Sequence, residues 1–197
     1  MHSYRELPAG YGEHLRIDMQ KDKRLALRIN GIAAAIMVVM LVVGHFLVVP
    51  VWTLISAEPD TTVTLTLTKP LVMLGGMIVY IVLHELTHAA VMKFYGAKQV
   101  RFGFTGLYAF AGSERDYFDR HAYVPISLAP LILWGIVFTV LMIVLPREWF
   151  WVAYFWQISN FSGAAGDIYV SILTARMPLG VLVQDTGVGM TFYCPKD

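Results

Sequence analysis

Four long apolar runs restrict the folds available to this chain more than any other feature of its sequence. Each run is long enough to cross a hydrocarbon core of about 30 Å, which takes roughly 20 helical residues. Their bounds are Ile29–Val49, Pro70–Met92, Ala122–Leu145 and Trp149–Ala175. Only Glu85 and Asp167 carry a charge within them. Because backbone polar groups in lipid need internal partners, we expect four transmembrane helices, the third bent near Pro125 and Pro130.

The composition excludes several other classes of protein. Hydrophobic residues make up 57% of the 197 residues and charged residues only 15%, well below the roughly 25% of a soluble domain. The net charge of +1 argues against nucleic-acid binding, and the apolar content argues against disorder. A single cysteine, Cys194, cannot form an intramolecular disulfide or a multi-cysteine zinc site. An integral membrane protein remains.

The basic residues predict its orientation. Thirteen of the fifteen Lys and Arg side chains lie in the lead 1–28, the connection 93–121 or the tail 176–197, and the other two are Lys69 and Arg147. By the positive-inside rule, both termini and the 93–121 connection are predicted to be cytoplasmic. We therefore expect an all-α, multi-pass membrane protein, with the bilayer as a partner and no nucleic acid.

A potential catalytic motif lies inside the second run, which reads His-Glu-Leu-Thr-His from His84 to His88. Residues four apart share a helix face, so both imidazoles can bind one metal ion. Glu85 beside them is positioned to act as a general base on a water molecule. Ionisable groups at membrane depth are costly, which favours a functional role over a polar patch that joins helices.

A zinc site needs a third protein ligand, for which Asp167 is the leading candidate. His84 and Asp167 lie about 21 Å and 27 Å from the outer ends of two spans that run in the same direction. Both therefore fall in the cytoplasmic half. Asn160, two turns before Asp167, is a candidate to bind substrate or to bond another helix. Other candidate ligands are the cluster Glu114, Asp116, Asp119 and His121, and His45 near the outer end of the first span.

Residues from about 99 to 111 predict a short β-hairpin between the second and third spans, turning at Thr105-Gly106. Its Phe102, Phe104 and Tyr108 are candidates to hold an extended substrate beside an exposed edge strand. A hairpin that only covers the site is the equal alternative. On the opposite side of the membrane, residues 62–68 alternate in the manner of a strand.

These residues resemble a bacterial integral-membrane family of zincin peptidases and, at a distance, the site-2 intramembrane metalloproteases. The likeness covers nearly the whole chain. It includes Leu7–Tyr11, Gln20–Lys23, His84–His88, Phe102–Phe104, Ser127–Pro130, Gly166–Tyr169 and Asp185–Met190. The resemblance implies Zn²⁺ bound by His84, His88 and Asp167, with Glu85 as the catalytic base.

The expected function is a membrane-embedded zinc metalloprotease that hydrolyses peptide bonds near the cytoplasmic face, acting on a peptide or membrane protein. An alternative is a non-catalytic, metal-dependent membrane scaffold that binds a partner helix. A third reading is an ion transporter, because ionisable residues in spans also mark ion paths.

Overall fold

The computed structural model describes residues 3–18, 21–51, 63–106 and 109–196. Tyr108 and Gln20 lie outside these residues. The helices are α1 Lys23–Val43, followed by a π-helical turn Gly44–Val48, α2 Val63–Phe94, α3 Arg120–Val144, a 3-10 turn Arg147–Trp149, α4 Phe150–Gly163 and α5 Ala165–Arg176. The strands are β1 Ser3–Tyr4, β2 Tyr11–Asp18, β3 Arg101–Phe104, β4 Ala109–Asp119, β5 Leu182–Asp185 and β6 Gly189–Pro195.

The prediction of an all-α protein is wrong, because the chain also forms a six-stranded antiparallel sheet. Five strands lie in the order β1-β4-β5-β6-β2, and β3 pairs with β4. The expected hairpin is present as β3 and the first part of β4, but β4 continues to Asp119 and pairs with β5. The lead and the tail, predicted only as cytoplasmic segments, supply the remaining strands. Their pairing of β2 with β6 joins residues more than 170 positions apart, which no local pattern reveals.

The chain divides into two compact units. The first comprises Met1–Asn30, Leu83–Pro130 and Gly166–Asp197, and it contains the whole sheet. Its core is formed where the sheet meets helical side chains, with Phe118 and Phe192 fully buried beside Met92, Tyr123 and Val170. Alternate residues of β5 and β6 enter this core, as the two-residue period of a strand requires.

The second unit comprises Gly31–Val82 and Leu131–Ala165 and, over its described residues 31–51, 63–82 and 131–165, is helical apart from its turns. Trp151, Tyr154 and Ile158 pack around Val49 in it. The indole of Trp151 donates to the carbonyls of Val49 and Pro50, which lie past the π-helical turn.

Among the described residues, three helices are long and apolar enough to cross a membrane. They are Lys23–Val48, Leu67–Phe94 and Arg120–Val144, with mean hydropathies of 2.5, 1.6 and 2.4. Most side chains along them face outward, as in helices that contact lipid. Residues 63–68 belong to helix α2, so the strand suggested by their alternating pattern is not formed.

The fourth apolar run, expected as one helix over 149–175, is instead two shorter helices. Helix α4 ends at Gly163 and α5 begins at Ala165, with Ala164 at φ −78° and ψ 7° between them. The break falls in the stretch Ser162–Gly166, whose two glycines have low helix propensity. One consequence is that Asp167 lies in the first turn of a new helix, where a carboxylate is favoured.

Candidate active site

Helix α2 places the two histidines of the motif on one face. Residues four apart are neighbours on a helix, and the ring centroids of His84 and His88 lie 4.9 Å apart. Both side chains are largely buried, with 13% and 11% of their surface exposed. The motif is thus helical, as expected, and its two histidines lie side by side on α2.

Asp167, from the first turn of α5, lies against both imidazoles. Its Oδ2 is 3.3 Å from Nε2 of His84, and its Oδ1 is 3.6 Å from Nε2 of His88. Ligand atoms of all three residues lie within 4.8 Å of one another. The structure therefore brings together the three residues that the sequence suggested as metal ligands, and all three belong to the first unit.

The ring of His88 is held from its other side. Its Nδ1 lies 2.9 Å from the carbonyl oxygen of Ile126 in α3. A carbonyl only accepts hydrogen bonds, so Nδ1 carries the proton and donates it. In the neutral ring the lone pair is then on Nε2, the atom that faces Asp167. A metal-binding histidine usually has such a partner, which fixes its tautomer and orientation.

Glu85 follows His84 on α2, and its carboxylate interacts with the backbone N–H of Ala111 in β4. This contact links the motif to the strand that forms the hairpin with β3, since Ala111 pairs with Phe102 there. The proposed base and the hairpin are thus neighbours within the first unit.

Other candidate residues have different surroundings. Asn160 is fully buried in the second unit, where it accepts a hydrogen bond from Tyr80 and donates one to the carbonyl of Leu131. Phe102 and Phe104 are exposed on β3, by 53% and 70%. Tyr108 lies outside the described residues.

The alternative ligands have local roles in the structure. Glu114 forms an exposed ion pair with Arg101 at 2.7 Å, and Asp116 accepts hydrogen bonds from Ser113 and from the backbone of Lys98. Asp119 accepts a bond from the N–H of Ala122 at the start of α3, and His45 accepts one from the N–H of Val51. His121 is exposed in the first turn of α3.

Sequence reasoning missed a buried pair next to these groups. The hydroxyl of Tyr123 in α3 donates to Asp185 at 2.7 Å, and Asp185 also accepts from the N–H of Gly187 in the β5–β6 turn. Burial raises the pKa of the Asp185 carboxyl, while the charge of His88 acts to lower that pKa and the charge of Asp167 acts to raise it. Gly187 has a φ of 82°, which favours glycine in this turn. The motif from Asp185 to Met190 was visible in the sequence, but its buried partner was not.

A family model matches residues 77–182, which is more than half of the chain and includes His84, His88 and Asp167. Comparison with curated proteins and with solved structures gave no significant match. On the strength of that family match, the chain belongs to the family described as "Putative zincin peptidase".

Proposed function

We propose that this protein is a membrane-embedded zinc metallopeptidase whose site lies near the cytoplasmic face. The observation that carries the proposal is the convergence of His84, His88 and Asp167 on one another, with Glu85 in the same helical turn. Three ligands and an adjacent carboxylate are the parts that a catalytic zinc site of this class needs.

The donor set fits zinc. Zinc ligands lie about 2.0–2.1 Å from the ion, so two tetrahedral ligands are separated by about 3.3–3.4 Å. Oδ2 of Asp167 lies 3.3 Å from Nε2 of His84, which is close to that value, and Oδ1 lies 3.6 Å from Nε2 of His88. Two imidazoles and one carboxylate leave a fourth position open, as catalytic rather than structural zinc sites do.

The chemistry divides between the ion and the chain. When bound, zinc supplies Lewis acidity, which polarises a scissile carbonyl and a water molecule. Glu85 accepts the proton of the attacking water and returns it to the leaving amine. Asp167 and the two histidines act as ligands throughout, and the hydrogen bond to the carbonyl of Ile126 holds the ring of His88.

The hairpin is the proposed site of substrate binding. Strand β3 is paired with β4 and lies off the main path of the sheet. The side chains of Phe102 and Phe104 on this strand are exposed. An extended peptide pairing with this edge would lie on the other side of β3 from Ala111 of β4, whose N–H contacts Glu85. The aromatic side chains would then select apolar segments of a peptide or membrane protein.

Location in the membrane is supported by three apolar helices and by the distribution of charge. We propose that both termini and the sheet are cytoplasmic, because thirteen of fifteen basic residues lie in the segments predicted for that side. The bilayer is then the partner of the outward-facing apolar side chains on α1 and α2.

The test is peptide cleavage by the purified, zinc-loaded protein in lipid vesicles, using a library of apolar peptides. Wild type should cleave and Glu85→Gln should lose at least about a thousandfold in rate while keeping one zinc per chain. Glu114→Gln is the matched control, because Glu114 forms a surface ion pair away from the cluster. Cleavage by Glu85→Gln at the wild-type rate, or the absence of stoichiometric zinc from wild type, would refute the proposal.

A further inference from the structure

Helix α3 contains a carbonyl that lacks its usual helical donor. In an α-helix, the carbonyl of residue 126 accepts the N–H of residue 130. Residue 130 is proline, which has no N–H. The ring of a proline also clashes with the carbonyl four residues earlier and tilts it away from the helix axis. Pro130 therefore both frees the carbonyl of Ile126 and directs it outward.

That freed carbonyl is the one that His88 uses. The distance from Nδ1 of His88 to the oxygen of Ile126 is 2.9 Å, and both residues are buried. A buried carbonyl without a donor would cost free energy, and a buried imidazole without a fixed tautomer would be a poor ligand. One hydrogen bond satisfies both groups.

We propose that Pro130 is a positioning residue for the metal site. By denying Ile126 a helical partner, it reserves that carbonyl for Nδ1 of His88 and so presents Nε2 as the metal donor. The proposal rests on the proposed function, because it assumes that His88 binds zinc. It adds a residue that touches neither the metal nor the substrate.

A second proline in the same helix offers a matched control. Pro125 is exposed, whereas Pro130 is buried, and the carbonyl that Pro125 leaves without a helical donor belongs to His121 in the first turn. The partner of His88 is Ile126 and not His121. Replacing Pro125 therefore removes a proline from α3 without returning a donor to the carbonyl that holds His88.

The experiment measures zinc affinity by competition with a chromophoric chelator for wild type, Pro130→Ala, Pro130→Val and Pro125→Ala. Both changes at position 130 restore an N–H, and valine keeps nearly the volume of proline. We expect both to weaken zinc binding about tenfold, the lower end of the range for loss of a ligand's supporting partner, and Pro125→Ala to match wild type. Thermal midpoints of the metal-free variants should equal or exceed that of wild type, because alanine and valine suit a helix interior better than proline.

Nitrogen-15 spectra of the zinc-loaded proteins give an independent readout. In wild type, the ring of His88 should show a slowly exchanging proton on Nδ1, and both variants at position 130 should exchange it faster. Unchanged zinc affinity in Pro130→Ala and Pro130→Val would overturn the inference, as would weakening in Pro130→Ala alone, which would indicate a cavity. Wild type without stoichiometric zinc would overturn the proposed function itself, so the two failures are distinguishable.

Discussion

Adjacent glycines in α2 predict opposite responses to the same substitution. Gly76 lies against the indole of Trp156, whose Nε1 donates to the carbonyl of Met73 at 2.9 Å. A Cβ added at Gly76 would lie 2.5 Å from Cε2 and 2.9 Å from Nε1 of that indole, far inside ordinary contact. A Cβ added at Gly75 would meet nothing within 4 Å.

The expected magnitudes follow from these contacts. Gly76→Ala forces the indole to move, which costs about 1–3 kcal/mol as overpacking and about 1 kcal/mol for the hydrogen bond to Met73. The better helix propensity of alanine returns about 1 kcal/mol. The net loss in the free energy of unfolding is about 1–3 kcal/mol. Gly75→Ala keeps only the favourable part, so it should stabilise by up to about 1 kcal/mol.

The assay is unfolding of the two variants and wild type in mixed micelles, titrated with denaturing detergent and followed by the fluorescence of tryptophan. A gap of about 1–4 kcal/mol should separate Gly75→Ala from Gly76→Ala, with wild type between them. If the two variants agree in unfolding free energy within about 0.5 kcal/mol, α2 does not pack closely against Trp156 in the protein, and the reasoning fails.

Three further predictions concern the first unit and its site. Phe192→Ala, at a fully buried position of β6, should lower the free energy of unfolding by about 3–5 kcal/mol in the same assay. Phe102→Ala, at an exposed position, should change it by less than about 0.5 kcal/mol. Equal losses in the two variants would contradict the assigned core. Because burial raises the pKa of Asp185 above the value of about 3.9 in the unfolded chain, its ionisation costs stability as the pH rises through the folded-state pKa. Asp185→Asn should therefore gain stability relative to wild type as the pH rises above about 4, in unfolding measured across a series of pH values, and a difference that is independent of pH would refute this. Zinc at a hundred times its dissociation constant should add about 2.7 kcal/mol to the stability of wild type but nothing to Asp167→Ala. Removal of zinc by a chelator should reverse the gain. Equal stabilisation of both proteins would exclude Asp167 as a ligand.

Local patterns anticipated some elements of the fold and missed others for definable reasons. The apolar stretches around Pro70–Met92 and Ala122–Leu145 lie in long helices, because apolar length is a property of the sequence alone. The hairpin at Thr105-Gly106 was also predicted, because a glycine suits a turn. In the structure, Gly106 has a φ of 90°. The sheet was missed because β2 and β6 are weak strands locally and gain their stability by pairing with each other.

The candidate site shows the same division. Spacing in the sequence proposed the pairing of His84 with His88, and charge at membrane depth singled out Asp167 from fourteen acidic residues. The break at Ala164 was not predicted, because Trp149–Ala175 was interpreted as one continuous apolar run. It is this break that turns Asp167 into an N-terminal residue of α5, against the two imidazoles.

By itself, the sequence determined the apolar helices, the His-Glu-Leu-Thr-His motif and the two charges that lie within the apolar runs. Each of these depends on residues close together in the chain, through helix periodicity and the cost of charge in lipid. Only the tertiary structure decided that lead and tail share one sheet, that Asp167 rather than Glu114 meets both histidines, and that Ile126 supports His88. Those contacts join segments far apart in the chain, and their partners are selected by packing and by the need of buried polar groups for hydrogen bonds.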